Sequence, residues 1–151
     1  MAILTDDMKR VVAQQRTAFV ATTCPDGSPN VSPKGTIAVW DDAHLVFLDI
    51  RSPRTVANLR ANPRVELNVL DPIVRKGYRF RGTGTVLSGG LEFEEVVAFY
   101  ERERQIDRRR VEHVVLVTVE KATAVVSPAY DLGTTEDELR AIWRKRLLGG
   151  E

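Results

Sequence analysis

The sequence predicts a mainly β, α+β fold in which six antiparallel strands close into a small barrel with peripheral helices. Six segments are rich in β-branched and aromatic residues, and several are joined by turns too short for a parallel crossover. Six strands of this length leave few exposed edges when they close on themselves. The chain has 151 residues, so we expect one domain over residues 1–151.

Composition and charge exclude several classes of function. The net charge is +1, so no global field recruits nucleic acid or an anionic membrane. No apolar run approaches the roughly 18 residues of a membrane span. The single cysteine, Cys24, cannot form an internal disulfide, and the N-terminus lacks the apolar segment of a signal peptide. We therefore expect a cytoplasmic protein with neither nucleic acid nor membrane as a partner.

The first half of the chain predicts two helices and three strands. Thr5 caps a first helix, whose apolar spacing continues to about Gln15. Strand-like runs at residues 16–23 and 30–40 flank a Pro-Asp-Gly-Ser turn, which predicts a hairpin. An Asp-Asp turn leads to the third strand at residues 44–50. A helix then begins at Pro53 and ends near Ala61, before Asn-Pro.

The second half predicts three more strands and two more helices. Strands at residues 65–70 and 78–88 flank a basic loop, and apolar residues at helical spacing follow over 93–100. The charged run after them reads as a solvated helix end and loop. An apolar strand follows at residues 111–119. The tail, about 127–151, carries a last helix capped by Thr134 or Thr135. This tail either covers an open edge of the barrel or places Trp143 or Tyr130 over the functional site.

The strongest functional signal lies where the third strand leads into the second helix. Ser52 is placed to cap this helix, Pro53 takes the first helical position, and Arg54 and Thr55 fall in the first turn, with Arg51 just before it. A helix N-terminus presents unpaired N–H groups and the positive end of the helix dipole. Arginines and hydroxyls in place of the usual acids predict a phosphate site there. The alternative is a solvated basic turn.

The second strand offers further ligands to this site. Ser32 and Lys34 project from one face, while Pro33 and Gly35 mark an edge, a bulge or a close approach to the backbone. Pairing with the third strand can bring Lys34 within reach of residues 49–51, so that a phosphate is held by charge-assisted hydrogen bonds.

Other catalytic patterns are absent from the sequence. His44 and His113 stand alone and, with one cysteine, give no zinc pattern, so we interpret both as structural and expect no metal. No nucleophile elbow, Walker loop or acid–base pair stands out. Catalytic residues therefore remain unassigned.

Three motifs occur in a characteristic order: DGSPNVSPKG at 26–35, VFLDIRSPRTVANL at 46–59 and NPRV at 62–65. An RGTGTV strand before a Phe-Glu-rich helix follows them. Together, over roughly residues 5–122, they resemble the split-barrel flavin-binding proteins of the pyridoxamine phosphate oxidase superfamily, and most closely its small FMN-binding proteins.

The resemblance implies a six-stranded antiparallel split barrel that forms a homodimer with FMN at the subunit interface. Arg54 and Thr55 match the residues that hold the phosphate. Lysine is frequent at the first position, and arginine keeps its charge and adds a bidentate fork. The isoalloxazine edge matches residues 32–35 and 49–52. The full set implied at the cofactor is Ser32, Pro33, Lys34, Gly35, Asp49, Ile50, Arg51, Ser52, Arg54 and Thr55.

The apolar faces of residues 65–70 and 111–119 exceed what a barrel interior needs, which is a second reason to expect a homodimer.

The resemblance also implies the class of activity. We expect an FMN-binding flavoprotein, an oxidase or reductase of the pyridoxamine 5'-phosphate oxidase-like type with an unassigned small-molecule substrate. The chain lacks the polar extension and the arginine–histidine set that hold pyridoxamine phosphate, which argues against that named activity. Alternatives are a deazaflavin-dependent reductase, a non-catalytic module binding flavin or haem, and a dimeric scaffold with an incidental basic turn.

Overall fold

A computed structural model describes residues 2–149 of the chain. Its helices are α1 (Asp6–Gln15), α2 (Pro53–Ala61), α3 (Leu91–Arg104) and α4 (Glu136–Leu148). Its strands are β1 (Ala18–Thr23), β2 (Pro29–Lys34), β3 (Ala38–Val39), β4 (His44–Asp49), β5 (Arg64–Asp71), β6 (Lys76–Leu87) and β7 (His113–Val126). Short 3-10 helices at Arg108–Arg110 and Pro128–Leu132 flank β7.

The strands form one antiparallel sheet in the order β2-β1-β5-β6-β7-β4-β3. Strands β2 and β3 are consecutive in the chain but lie at opposite edges of this sheet. Because only residues 35–37 join them, the sheet curls into a half-barrel. The predicted α+β fold with a split antiparallel barrel is confirmed.

The strand count differs from the prediction because the second predicted strand, residues 30–40, is broken. Gly35 and Thr36 form a turn that separates β2 from β3. The side-chain parity changes across the turn: Val31 is exposed on β2, whereas Ile37 is buried in the core. Seven strands replace the predicted six for this reason.

Several predicted boundaries agree with the structure. Helix α1 is capped by the Thr5 hydroxyl, and α2 spans the predicted residues with Pro53 at its start. Thr135 caps α4 through a reciprocal capping box with Glu138. The last strand is longer than predicted, because β7 continues to Val126 and stays paired with β6 beyond a register shift between Arg81 and Gly82. The predicted tail extended to residue 151, and its last two positions lie outside the described residues.

The main core fills the concave side of the sheet and is closed by α1 and α2. Its fully buried side chains include Val12, Val20, Phe47, Leu67, Phe80 and Val117. Helix α2 contributes Leu59, which packs where Gly84 of β6 leaves room for its methyl groups. The start of α2 is thereby fixed at one mouth of the half-barrel.

A second core lies on the convex side, where α3 covers β4 and the start of β7. Val96, Val97 and Tyr100 of α3 pack against the strand residues Val46, Leu48 and Val114. Since α3 covers this second apolar face, the surplus seen in the sequence at 111–119 does not itself require a partner chain. The homodimer stays a prediction.

No helix within residues 2–149 has both the length and the apolar character needed to cross a membrane.

Candidate functional site

A polar cluster lies at the mouth of the half-barrel where α2 begins. It consists of Ser32 and Lys34 from β2, Asp49 from the end of β4, Ser52 before α2, and His113 from the start of β7. Asp49 is two residues from Phe47 on β4, and His113 is two residues from Val115 on β7, so each lies on the same face of its strand as a residue of the main core. The cluster is therefore the polar end of the concave face.

Lys34 links the two sides of the half-barrel. Its side chain is almost fully buried, with the residue 4% exposed, and its ammonium donates to Ser52 Oγ at 2.5 Å and Ser32 Oγ at 2.9 Å. Burial lowers the pKa of Lys34, and the negative charge of nearby Asp49 opposes that shift. A buried ammonium whose hydrogen-bond partners are two neutral hydroxyls can accept an anionic ligand at low cost.

Asp49 connects Lys34 to β7 and to the helix start. The residue is 1% exposed; its Oδ1 accepts from the backbone N–H of Ser52 at 2.6 Å, and its Oδ2 lies 2.8 Å from Nδ1 of His113. Its carbonyl oxygen also accepts from the backbone N–H of Glu112 at 2.9 Å. Both carboxylate oxygens are thus engaged, which fixes the end of β4 against β7 and α2.

Sequence reasoning missed His113, which it interpreted as a lone structural histidine. Its partner Asp49 lies 64 positions earlier in the chain. The contact between Asp49 and His113 depends on the pairing of β4 with β7, which places the two residues opposite each other. The available signal was a polar residue at the start of an otherwise apolar strand, on the same parity as the core positions. That signal becomes informative only once β4 is known to pair with β7.

Asp49, Glu112 and His113 also bring three potential metal-ligating groups within 4.8 Å of one another. Asp49, however, already accepts hydrogen bonds on both oxygens, and Lys34 places a positive charge nearby. We therefore interpret the group as an aspartate–histidine pair with a neighbouring acid.

The helix start keeps the features predicted for an anion site. Ser52 occupies the N-cap position, but its side chain makes no capping hydrogen bond and instead accepts from Lys34. The first N–H groups of α2 therefore have no side-chain cap. Arg51 and Arg54 are exposed, and neither forms an ion pair with an acidic residue within residues 2–149.

Arg54 and Thr55 differ in how they are presented. Arg54 lies near Cys24, whose pKa is lowered mainly by a hydrogen bond with Ser28 and to a smaller extent by hydrogen bonds with Asn58 and Arg54. The guanidinium of Arg54 therefore lies beside the β1–β2 turn and not against Lys34. Thr55 is 2% exposed, so it lies under the first turn of the helix.

The remaining predicted residues line the periphery. Pro33 and Gly35 are exposed, and a Cβ added at Gly35 would meet no atom within 4 Å. Ile50 packs against the second core. The structure therefore brings together Ser32, Lys34, Asp49 and Ser52, places Arg51 and Arg54 at the rim, and buries Thr55.

The arrangement fits a flavin phosphate at its positive end. Buried Lys34, two hydroxyls, uncapped helix N–H groups and two rim arginines are the donors that bind phosphate. The open backbone at Gly35 leaves room for a flat ring beside β2. A bound flavin would supply hydride and electron transfer, while the chain would supply binding and orientation.

A separate cleft lies beside α4. About 510 Å³ in volume, it is lined by residues of α1, the β6–β7 ends and α4. Trp143 of α4 stacks on the Arg75 guanidinium, 4.1 Å from ring centroid to Cζ. The cleft lies at the Val126 end of β7, whereas the polar cluster lies at its His113 end, so the tail does not reach the cluster within one chain. The edge strands of the sheet are β2 and β3, and the described part of the tail covers neither of them.

Comparison with known proteins identifies relatives by sequence profile and by fold. The profile of the family described as Pyridoxamine 5'-phosphate oxidase matches residues 4–125. No curated protein matches the chain. Among solved structures, HupZ of Group A Streptococcus is 26% identical, with a TM-score of 0.74 over 83% of this chain and 96% of that chain.

Two more distant structures share the fold. An FMN-binding protein from Syntrophomonas wolfei is 14% identical, with a TM-score of 0.68 over 82% of this chain and 87% of that chain. An F420 reductase is 20% identical, with a TM-score of 0.62 over 79% of this chain and 98% of that chain.

Proposed function

Because this chain belongs to the pyridoxamine 5'-phosphate oxidase family, we propose that it binds FMN and acts as a flavin-dependent oxidoreductase on a small molecule. The family is of the flavin-binding, oxidoreductase type. The fold shared with an FMN-binding protein supports the choice of FMN.

The observation that carries the proposal is the environment of Lys34. A lysine that is 4% exposed and bonded to two serine hydroxyls lies beside a helix start without a side-chain cap. The Asp49 carboxylate offsets the burial of this ammonium only in part, since burial still lowers the pKa of Lys34, so a further anion is favoured beside it. Lys34, Ser52 and the N–H groups of α2 would together hold the terminal phosphate of FMN, with Arg54 at the rim.

A deazaflavin coenzyme is the second candidate, and the fold shared with an F420 reductase favours it. Its phosphate can use the same donors, so the cluster does not choose between the two cofactors. A non-catalytic flavin-binding or haem-binding module of the same fold is distinguished by its lack of turnover with any electron donor.

The cofactor experiment compares the two candidates directly. The purified chain is stripped of bound cofactor and titrated with FMN, riboflavin and F420, with binding followed by flavin fluorescence and calorimetry. We expect FMN to bind at least tenfold more tightly than riboflavin, since riboflavin lacks the phosphate. Tighter binding of F420 would transfer the proposal to the deazaflavin, and no binding of any of the three would contradict it.

We also propose a homodimer that buries the outer face of β1 and β2. Phe19 is 53% exposed and Val31 is 63% exposed; they stand beside Pro33 on this face, since Phe19 pairs with Pro33 and Ala21 with Val31. Exposed apolar groups of this kind mark contact surfaces. Light scattering should give twice the chain mass, and Phe19→Lys should lower it toward one chain. One chain mass for the unaltered protein at micromolar concentration would exclude the dimer.

A further inference from the structure

The aspartate–histidine pair at the mouth of the half-barrel leaves one imidazole nitrogen free. Nδ1 of His113 lies 2.8 Å from Oδ2 of Asp49, and within residues 2–149 Nε2 has no hydrogen-bond partner. An ionised carboxylate can only accept, so Nδ1 must donate. The neutral imidazole is therefore held as the Nδ1–H tautomer, and Nε2 carries the lone pair.

We propose that His113 is the proton-exchanging residue of the cofactor site, with Asp49 as the residue that positions it. The inference rests on the proposed flavin function. It follows from the arrangement of carboxylate and imidazole, which is the arrangement that orients a general base in other enzymes.

The position of His113 suits it to this role. Its side chain is 22% exposed, so it can exchange protons with solvent, while its Asp49 partner is 1% exposed and cannot. Asp49 links His113 to Ser52 at the helix start, and Ser52 in turn accepts a hydrogen bond from Lys34. The charged groups near the pair are Glu112, which immediately precedes β7, and Lys34 on β2, which interacts with Asp49.

Charge balance defines the step. A flavin held at this site would gain one negative charge when a hydride donor transfers two electrons and one proton to it. His113 compensates this charge by taking one proton from solvent at Nε2, so that two electrons and two protons enter together. When an oxidised substrate then takes the hydride and the flavin returns to its oxidised form, His113 would give its proton to the resulting anion, and the imidazole would be neutral again.

The second histidine provides a matched control. Nδ1 of His44 lies 2.7 Å from Oδ1 of Asp41, so the same type of pair exists at the opposite end of β4. His44→Asn and His113→Asn each remove one imidazole, and an asparagine amide can still donate to the aspartate. Only His113→Asn removes a proton-exchanging atom from the cluster.

The first measurement needs no cofactor. Long-range ¹⁵N spectra of a protein with only two histidines assign the tautomer of each ring directly. We expect His113 in its neutral form to be protonated at Nδ1. A neutral His113 protonated at Nε2 would overturn the proposal.

The second measurement is the pH dependence of the reduction potential of bound FMN between about pH 5 and pH 8. Each proton taken up per two electrons contributes about 30 mV per pH unit. We expect the slope of the unaltered protein and of His44→Asn to be steeper than that of His113→Asn by up to this amount. Equal slopes in all three proteins would overturn the proposal while leaving the flavin function intact. Failure to bind FMN would contradict the flavin function first, and the inference with it.

Discussion

Lys34 Nζ lies 2.5 Å from Ser52 Oγ, although the two residues belong to opposite sides of the curled sheet. Strand β2, which carries Lys34, is at one edge, whereas β4, which leads to Ser52, is next to the other edge. This hydrogen bond therefore spans the open side of the half-barrel and places a positive charge where α2 begins. The contact joins two segments that the sequence had linked only through an expected strand pairing.

Replacing Lys34 should change both the pH dependence of the free energy of unfolding and the affinity for FMN. Burial lowers the pKa of Lys34 below 10.5, so between the lowered pKa and 10.5 the unfolded chain binds more protons than the folded chain. The contribution of Lys34 to the free energy of unfolding should therefore rise with pH through that window, and Lys34→Met should lack this rise.

Urea unfolding of both proteins between pH 7 and pH 10.5 measures the difference. Lys34→Met should also lose at least tenfold in FMN affinity, since a charge-assisted contact with phosphate contributes roughly 1.5–3 kcal/mol. Identical pH profiles would show that Lys34 is not desolvated, and unchanged affinity would remove it from the phosphate site.

Asp49 should be the most costly residue of the cluster to remove. Asp49→Ala leaves the Lys34 ammonium without its nearby negative charge and the Ser52 N–H and His113 Nδ1–H without acceptors. Loss of one partner from a buried charged network costs roughly 3–5 kcal/mol. Chemical denaturation provides the measurement, and Asp41→Ala, at the exposed aspartate–histidine pair, is the control. A loss below 1 kcal/mol at Asp49 would show that water reaches the cluster.

Arg54 tests the rim of the proposed phosphate site. It is exposed and forms no ion pair with an acid of residues 2–149, so Arg54→Glu should leave the unfolding transition cooperative. The introduced carboxylate should repel the phosphate and lower FMN content strongly. Arg60→Glu, an exposed arginine farther along the same helix, is the matched control for charge. If the two variants retain equal amounts of flavin, Arg54 does not contact the phosphate.

Tyr100 connects α3 to the turn that the sequence did not predict. Its hydroxyl donates to the carbonyl oxygen of Thr36 at 2.5 Å and lies 3.1 Å from that of Val46. Burial raises the pKa of Tyr100 well above its ordinary value, so the hydroxyl stays a donor throughout the physiological range. Tyr100→Phe should lower the free energy of unfolding by about 1–3 kcal/mol, because two buried carbonyls lose their donor.

Since Thr36 follows Gly35, the same change should weaken FMN binding by loosening the β2–β3 turn. Tyr130→Phe is the control, because the Tyr130 hydroxyl also donates to a backbone carbonyl, that of Val74 at 2.6 Å, but lies near α4. This control should lose stability without losing FMN affinity. Equal affinity changes in both variants would separate the turn from the cofactor site.

The sequence was sufficient to predict local structure. Capping threonines, a proline at the first helical turn and the Pro-Asp-Gly-Ser turn act within a few residues, so α1, α2, α4 and the first hairpin were predicted closely. Ser32 and Lys34 were named as candidate ligands from the alternation of their strand, and Ser52 from its place at the helix start. Their assignment to a cofactor remains a proposal.

What the sequence did not indicate depends on contacts between distant segments. The turn at Gly35 is stabilised by Tyr100 and by Arg104, whose guanidinium donates to the carbonyl oxygen of Ile37 at 2.8 Å. The pairing of β4 with β7 decides whether His113 is an isolated core residue or the partner of Asp49. Contacts of this kind join distant segments, so they cannot be recognised from the hydrophobic pattern within any one segment.

The tail provides the last prediction. Helix α4 buries Leu139. It is also attached by the stacking of Trp143 on Arg75 and by the Lys76–Glu136 ion pair, both at the end of β7 away from Asp49. Deleting residues 134–151 should therefore lower the free energy of unfolding by roughly 2–5 kcal/mol, mostly from the loss of Leu139 burial. FMN affinity and the fluorescence of bound flavin should stay unchanged, because no aromatic side chain of the tail lies at the cluster within one chain. Trp143→Ala, which removes the stacking alone, should give a smaller loss. Recovery of flavin fluorescence after the deletion would instead show that a tail aromatic quenches the cofactor, with the partner subunit of a dimer as its source.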